Sequence, residues 1–157
     1  MATAVELIMI PEEYVAYIHT TGPITGIRDL MTRLYAALDG AGVATAGPPM
    51  ARFFSEEFDP ANTEYEVCVP IVPGADGSVP DTIGETRTDV IPAHQAMVAE
   101  HRGPYDTVSV SYEAIGEELN AIGYAVAGPA TEVFLKGPES TSDPSEYVTE
   151  VRLPVAR

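Results

Sequence analysis

The sequence predicts an α+β fold made of two pseudo-symmetric modules, each ordered strand, helix, strand, strand. Three observations carry this. First, the chain is written twice: a constant shift of 81 carries Gly22 onto Gly103, Pro23 onto Pro104, Leu34 onto Ile115, Leu38 onto Leu119, Gly42 onto Gly123, and Ala46, Gly47 and Pro48 onto Ala127, Gly128 and Pro129. Downstream the shift grows to 84, pairing Glu66 with Glu150, Val67 with Val151 and Pro70 with Pro154, so the second copy has a longer last loop. Second, each copy holds one apolar stripe at spacings of three and four, the mark of a helix with one buried face. Third, short alternating stretches bounded by Gly, Pro, Asp and Ser flank each stripe and read as strands. Two modules of this kind are expected to pack about a pseudo-twofold axis with a cleft between them.

In the first copy, Tyr14 to Thr20 alternates aromatic, small and β-branched residues and reads as a strand ending at the turn TTGP. The stripe Ile24, Ile27, Leu30, Met31, Leu34, Tyr35 and Leu38 follows as a helix. Pro23 suits its first turn, where the missing N–H would be unpaired in any case, and Gly40 and Gly42 suit its exit. The segment AGPPMARFF then runs from a turn into a strand, SEEFDPANTE forms a hairpin connection, and Tyr65 to Pro70 closes the copy. The second copy repeats the order: Gln95 to His101, the turn RGP, a helix carrying Val108, Tyr112, Ile115, Leu119 and Ile122, the strand AGPATEVFL, the loop GPESTSDPSE, and Tyr147 to Leu153. Module one is thus expected over 1–72 and module two over 89–157, with a connection over 73–88 that has room for one short added strand. Two helices that each need a covering face fit an antiparallel sheet with helices on one side.

With 157 residues, 45% of them hydrophobic, the chain can bury one core, and one compact unit over 1–157 is expected. No apolar run approaches the roughly 20 residues needed to span a bilayer, and no signal peptide opens the sequence, so a soluble, cytoplasmic protein is expected. The 24 acidic against 8 basic side chains, a net charge of -16, exclude direct nucleic-acid binding, which needs phosphates neutralised by Lys and Arg, and disfavour an anionic membrane surface. Three scattered His and the single Cys68 make no metal-binding spacing, and no Gly-rich strand-to-helix loop reads as a phosphate cradle, so neither metal nor cofactor is expected. Ser109 and Ser111 lie on a helix without a nucleophile-elbow turn.

The closing strands offer the candidate chemistry. Alternate side chains point to opposite faces, so Tyr65, Val67 and Val69 oppose Glu64, Glu66 and Cys68, and Thr149, Val151 and Leu153 oppose Val148, Glu150 and Arg152. The apolar sets are expected under the helices, leaving Glu66 and Glu150 at equivalent positions on the other face. Eight Tyr supply apolar rings with hydroxyls that want partners. A desolvated carboxylate among such rings is a receptor for a flat or lipophilic cation, each ring adding about 0.5 to 2 kcal/mol of cation–π attraction.

The strings HRGPYDTVSVSYEAIGEELNAIGYAVAGPATEVFL and PSEYVTEVRLPV resemble the GyrI-like small-molecule-binding family, found as the ligand-sensing domain of multidrug-responsive transcription activators and in stand-alone proteins. The resemblance extends over nearly the whole chain. It implies a roughly eight-stranded antiparallel sheet with two long helices and a central ligand pocket between the modules. It also implies a pocket glutamate in the last strand at Glu150, with Tyr112, Phe134 and Tyr147 from the second module and Tyr17 and Phe54 from the first around it; Glu66 is the counterpart in the first copy. No helix-turn-helix segment precedes Glu6, so a stand-alone domain is expected. Its first expected role is sequestration or sensing of lipophilic aromatic, often cationic, small molecules. The alternative is a hydrolase that opens the cyclopropane ring of DNA-alkylating natural products, with Glu150, its pKa raised by desolvation, as acid/base catalyst. A third reading, an acidic gyrase-inhibitor-like protein, would make a protein the partner.

Overall fold

The computed structural model describes residues 4–54, 59–138 and 140–157. The expected connection SEEFDPANTE and loop GPESTSDPSE fall partly on 55–58 and 139, outside the described residues. Two long helices and ten strands are present among the described residues, and every strand runs antiparallel to its named partners. The class is α+β, as the periodicity predicts. The strand count exceeds eight because short strands form where no apolar period announces them.

The first compact unit in chain order is Glu12–Pro92. Its strands are β2 (Glu13–Gly22), β3 (Met50–Phe53), β4 (Thr63–Pro70), β5 (Thr82–Ile83) and β6 (Thr86–Ile91), with α1 (Ile27–Ala41) between β2 and β3. They pair in the order β3-β4-β2-β6-β5. Leu30, Met31, Leu34 and Leu38 are the buried stripe of α1, and burying an aliphatic side chain of this size stabilises the fold by about 1.5–3 kcal/mol. The helix is preceded by a single tight turn, Ile24–Gly26, because Pro23 holds the extended backbone that delivers the chain into it and the Ile24 N–H donates to the Pro60 carbonyl. It stops at Gly42, whose φ of 69° returns its N–H to the carbonyls of Leu38 and Asp39, a conformation that costs glycine little.

The second unit joins Met1–Pro11 to Ala93–Arg157. It holds β1 (Val5–Ile10), β7 (His94–Arg102), α2 (Ser109–Ile122), β8 (Ala125–Val126), β9 (Ala130–Lys136) and β10 (Val148–Ala156). The order is β1-β7-β10-β9, with β8 pairing β10. Ile115 and Leu119 of α2 pack on Met97, Ala99, Val151 and Val155 of the strands.

These groupings differ from the boundaries 1–72, 73–88 and 89–157. Strand β1 pairs β7 from Val5 opposite Ala99 to Ile10 opposite His94, so the N-terminal residues belong with the second copy. The connection carries not one short strand but the hairpin β5–β6, and β6 pairs β2. Hydrogen bonding to a free strand edge, which leaves no period in the sequence, decides both. No helix among the described residues is long and apolar enough to cross a membrane.

Candidate functional site

Each candidate carboxylate sits in a different electrostatic setting. Glu66, in β4, has His19 of β2 and Arg52 of β3 as its cross-strand partners. One carboxylate oxygen accepts from Arg52 Nη1 at 2.7 Å, and the other lies 3.5 Å from His19 Nδ1. Phe54 closes over this group, its ring centroid 5.2 Å from that of His19 and 5.4 Å from the Arg52 guanidinium carbon. Tyr17 lies on the same face, two residues before His19 and opposite Cys68. The structure therefore brings Glu66, Tyr17 and Phe54 to one face of the first unit, and it places a permanent cation on the glutamate.

Glu150 lies in β10 between Thr149 and Val151, two fully buried residues of the α2 side, so its side chain takes the reverse face. It opposes Glu100 and Val133 and accepts from Arg152 Nε at 3.0 Å and Nη2 at 2.9 Å. Tyr112, Phe134 and Tyr147 are not its neighbours on that face. Tyr112 instead meets a glutamate that the repeat did not single out, Phe134 shares that glutamate's strand face, and Tyr147 packs on Tyr105.

That glutamate is Glu132. In β9 it opposes Val151, and Phe134, two residues on, opposes Thr149, so both point toward α2. Tyr112 of α2 donates from its hydroxyl to Glu132 Oε2 at 2.7 Å. Burial raises the Glu132 pKa above the usual carboxylate range, while the Tyr112 hydrogen bond and the nearby His101 pull the other way. Burial and then the Glu132 charge hold the Tyr112 phenol well above its ordinary value, so it stays a donor. Outside this pair, Tyr105 packs edge-on to Phe134 with centroids 5.8 Å apart and lies 5.1 Å from the Tyr147 ring. Glu132, Tyr112, Phe134 and Tyr147 are all partly exposed and Tyr105 is exposed, so the aromatic end of the group meets solvent.

His101, Ser111 and Thr149 add buried polar groups beside it, with the exposed Thr107 at the edge. His101 of β7 directs Nε2 to the Pro104 carbonyl and to Thr107 Oγ1, each at 3.0 Å, and Thr107 Oγ1 donates to the same carbonyl at 3.0 Å. A proton on Nε2 satisfies all three contacts. Thr149 Oγ1 and Ser111 Oγ are buried with no hydrogen-bonding partner among the described residues.

The first copy lacks this arrangement among the described residues. Under α1 the matching positions carry Leu30 for Ser111, Met31 for Tyr112, Ala51 for Glu132 and Tyr65 for Thr149. Register confirms the match, since Thr20 opposes Tyr65 as His101 opposes Thr149. Tyr65 is fully buried and donates to the Pro23 carbonyl at 3.2 Å, the bond that His101 makes to Pro104 from the neighbouring strand. The bulky residue has moved from the last strand to the first. Beneath α2 this leaves the small Thr149 beside Phe134 and Glu132. Two signals in the sequence pointed there: Glu132 shares its strand face with Phe134, and the shift of 81 sets a glutamate opposite Ala51.

A sheet with a helix over one face and a half-open aromatic and carboxylate group beneath it defines a class of small-molecule-binding α+β domains. The GyrI-like small molecule binding domain matches residues 3–156, and the chain belongs to that family. No curated protein sequence matches it. Among solved structures it is similar to the EcmrR C-terminal domain, at 22% identity and a TM-score of 0.89, covering 100% of this chain and 99% of that one. Against EcmrR in its DNA complex it covers 59% of that chain. It is also similar to a hydrolase from Listeria innocua (16% identity, TM-score 0.76, covering 99% of this chain and 93% of that one). A further likeness is to SAV2435 bound to tetraphenylphosphonium (17%, 0.63, 98% and 94%).

Proposed function

We propose that this chain sequesters or senses lipophilic aromatic cations, and that Glu132 with Tyr112, Phe134, Tyr147 and Tyr105 receives them. One observation carries the choice of glutamate. Glu66 and Glu150 each hold an arginine, whereas the bonded partner of Glu132 is a neutral phenol. A desolvated carboxylate without a fixed cation is the group that gains most from a cationic ligand, and the flanking rings add cation–π attraction. The tetraphenylphosphonium bound by SAV2435 is a ligand of this chemical kind.

Titration with a hydrophobic cationic dye tests the reading. Wild type is expected to bind with micromolar affinity and Glu132→Gln at least about tenfold more weakly, the loss of one charge-assisted contact. Glu150→Gln is expected to bind within twofold of wild type. The reverse pattern would place the ligand on the other face of β10, where the repeat alone points.

A second reading, hydrolysis of a strained cyclopropane, is favoured by the direction in which burial shifts Glu132, since a raised pKa makes a carboxylate a stronger base. In that chemistry the carboxylate takes a proton from water as its oxygen bonds to the ring carbon. The broken C–C pair is accepted by the substrate's conjugated carbonyl, which becomes a phenolate and takes up the proton that Glu132 received, while Tyr112 orients Glu132 through its hydrogen bond. Incubation with a cyclopropane-bearing alkylator, read by mass spectrometry, should give a gain of one water that Glu132→Gln abolishes. No gain, or full turnover by the variant, rejects this reading.

A further inference from the structure

We infer that the polar floor of this site selects ligands bearing several N–H groups, primary ammonium ions above all, and that Thr149 is the residue that reads them. The inference rests on the Glu132 site proposed above and names its ligand class more narrowly. Thr149 is fully buried and Ser111 nearly so, yet neither hydroxyl has a hydrogen-bonding partner among the described residues. Buried hydroxyls are ordinarily satisfied, and two left unmade in one layer mark a place where another molecule supplies the bond. The first copy shows that the fold does not require them: Leu30 and Tyr65 stand at the same positions, with the Tyr65 hydroxyl bonded.

Geometry fits a bridging ammonium. Thr149 opposes Phe134 and Glu132 opposes Val151, so Thr149 and Glu132 are diagonal neighbours on one face of the β9–β10 pair. Diagonal residues in such a pair stand about 7–8 Å apart, a span that one nitrogen donating to both side-chain oxygens can close. A quaternary cation can only neutralise Glu132, and a tertiary ammonium spends its single N–H there. A primary ammonium has further N–H groups for Thr149 Oγ1.

The test uses three probes with one ring system, 1-naphthylmethylamine and its N,N-dimethyl and N,N,N-trimethyl forms, titrated against wild type, Thr149→Val, Ser111→Ala and Glu132→Gln. Thr149→Val keeps the shape and removes the hydroxyl. It should lower the primary-to-tertiary affinity ratio at least fivefold while leaving binding of the trimethyl probe unchanged. Without ligand, its Tm should rise by about 2–4 °C, because an unbonded buried hydroxyl is gone. An unchanged ratio in Thr149→Val, or a fall in the Tm of free Thr149→Val, would overturn the inference. If Glu132→Gln binds all three probes as wild type does, the site itself is wrong. If it weakens all three and the ratio still ignores Thr149, only the selectivity fails.

Discussion

Glu132 is held where its charged form is disfavoured, and that fixes the sign of its pH dependence. Between the ordinary glutamate value near ~4.3 and its raised value, the folded chain keeps a proton that the unfolded chain has released. Stability therefore falls as pH rises through that window, and Glu132→Gln should flatten this part of a Tm-against-pH curve. Affinity for a cation should run oppositely, rising through the same window and levelling above it, as binding isotherms at stepped pH would show. Cys68 tests the other unit. It is free and fully buried, and burial, with Glu66 beside it, pushes its thiol well above the usual range. A thiol so placed is inert, so a thiol reagent at pH 8 should label it only on unfolding. Labelling of the native chain at the rate of a free thiol would contradict that packing.

At the scale of elements, the two helices begin alike and are anchored differently. In the first copy the Tyr65 hydroxyl reaches the Pro23 carbonyl and leaves so little space that a Cβ on Gly26 would lie 2.9 Å from its oxygen. In the second, the position matching Gly26 is Thr107, free to carry a side chain because Thr149 stands where Tyr65 does, and Thr107 bonds His101 instead. Glycine and tyrosine form one solution, threonine and histidine the other. Gly26→Ala should accordingly destabilise the chain by about 1–3 kcal/mol through overpacking, measured by urea unfolding. Tyr65→Phe should lose about 1 kcal/mol with its hydrogen bond, and the double variant should be more stable than the sum of the two losses predicts. Strict additivity would mean that the contact is relieved elsewhere.

For the whole molecule, the unequal copies predict one ligand per chain. The second carries Glu132 beneath its helix where the first has Ala51, so calorimetry with a cationic dye should return a stoichiometry near one; a value of two would show that the first unit also binds. The charge of -16 should draw cations in, and association should slow as salt rises. The sequence by itself determined the class and both helices, because a buried stripe at helical spacing and a glycine at the exit are local requirements that Leu34, Leu38, Gly42 and their counterparts meet directly. It also determined the duplication, which a constant offset between matching residues shows without any structure. It singled out Glu66 and Glu150 because symmetric positions stand out in a repeat, and symmetry does not reveal charge partners. Only the tertiary structure decided that Arg52 and Arg152 neutralise those two, and that β1 joins the second copy through edge hydrogen bonds with no sequence period. The same holds for Glu132, whose environment comes from Tyr112 and His101, 20 and 31 positions away in sequence, meeting it across α2, β7 and β9. Burial and pairing of a charge are set by such distant contacts, and these exist only once the chain has folded.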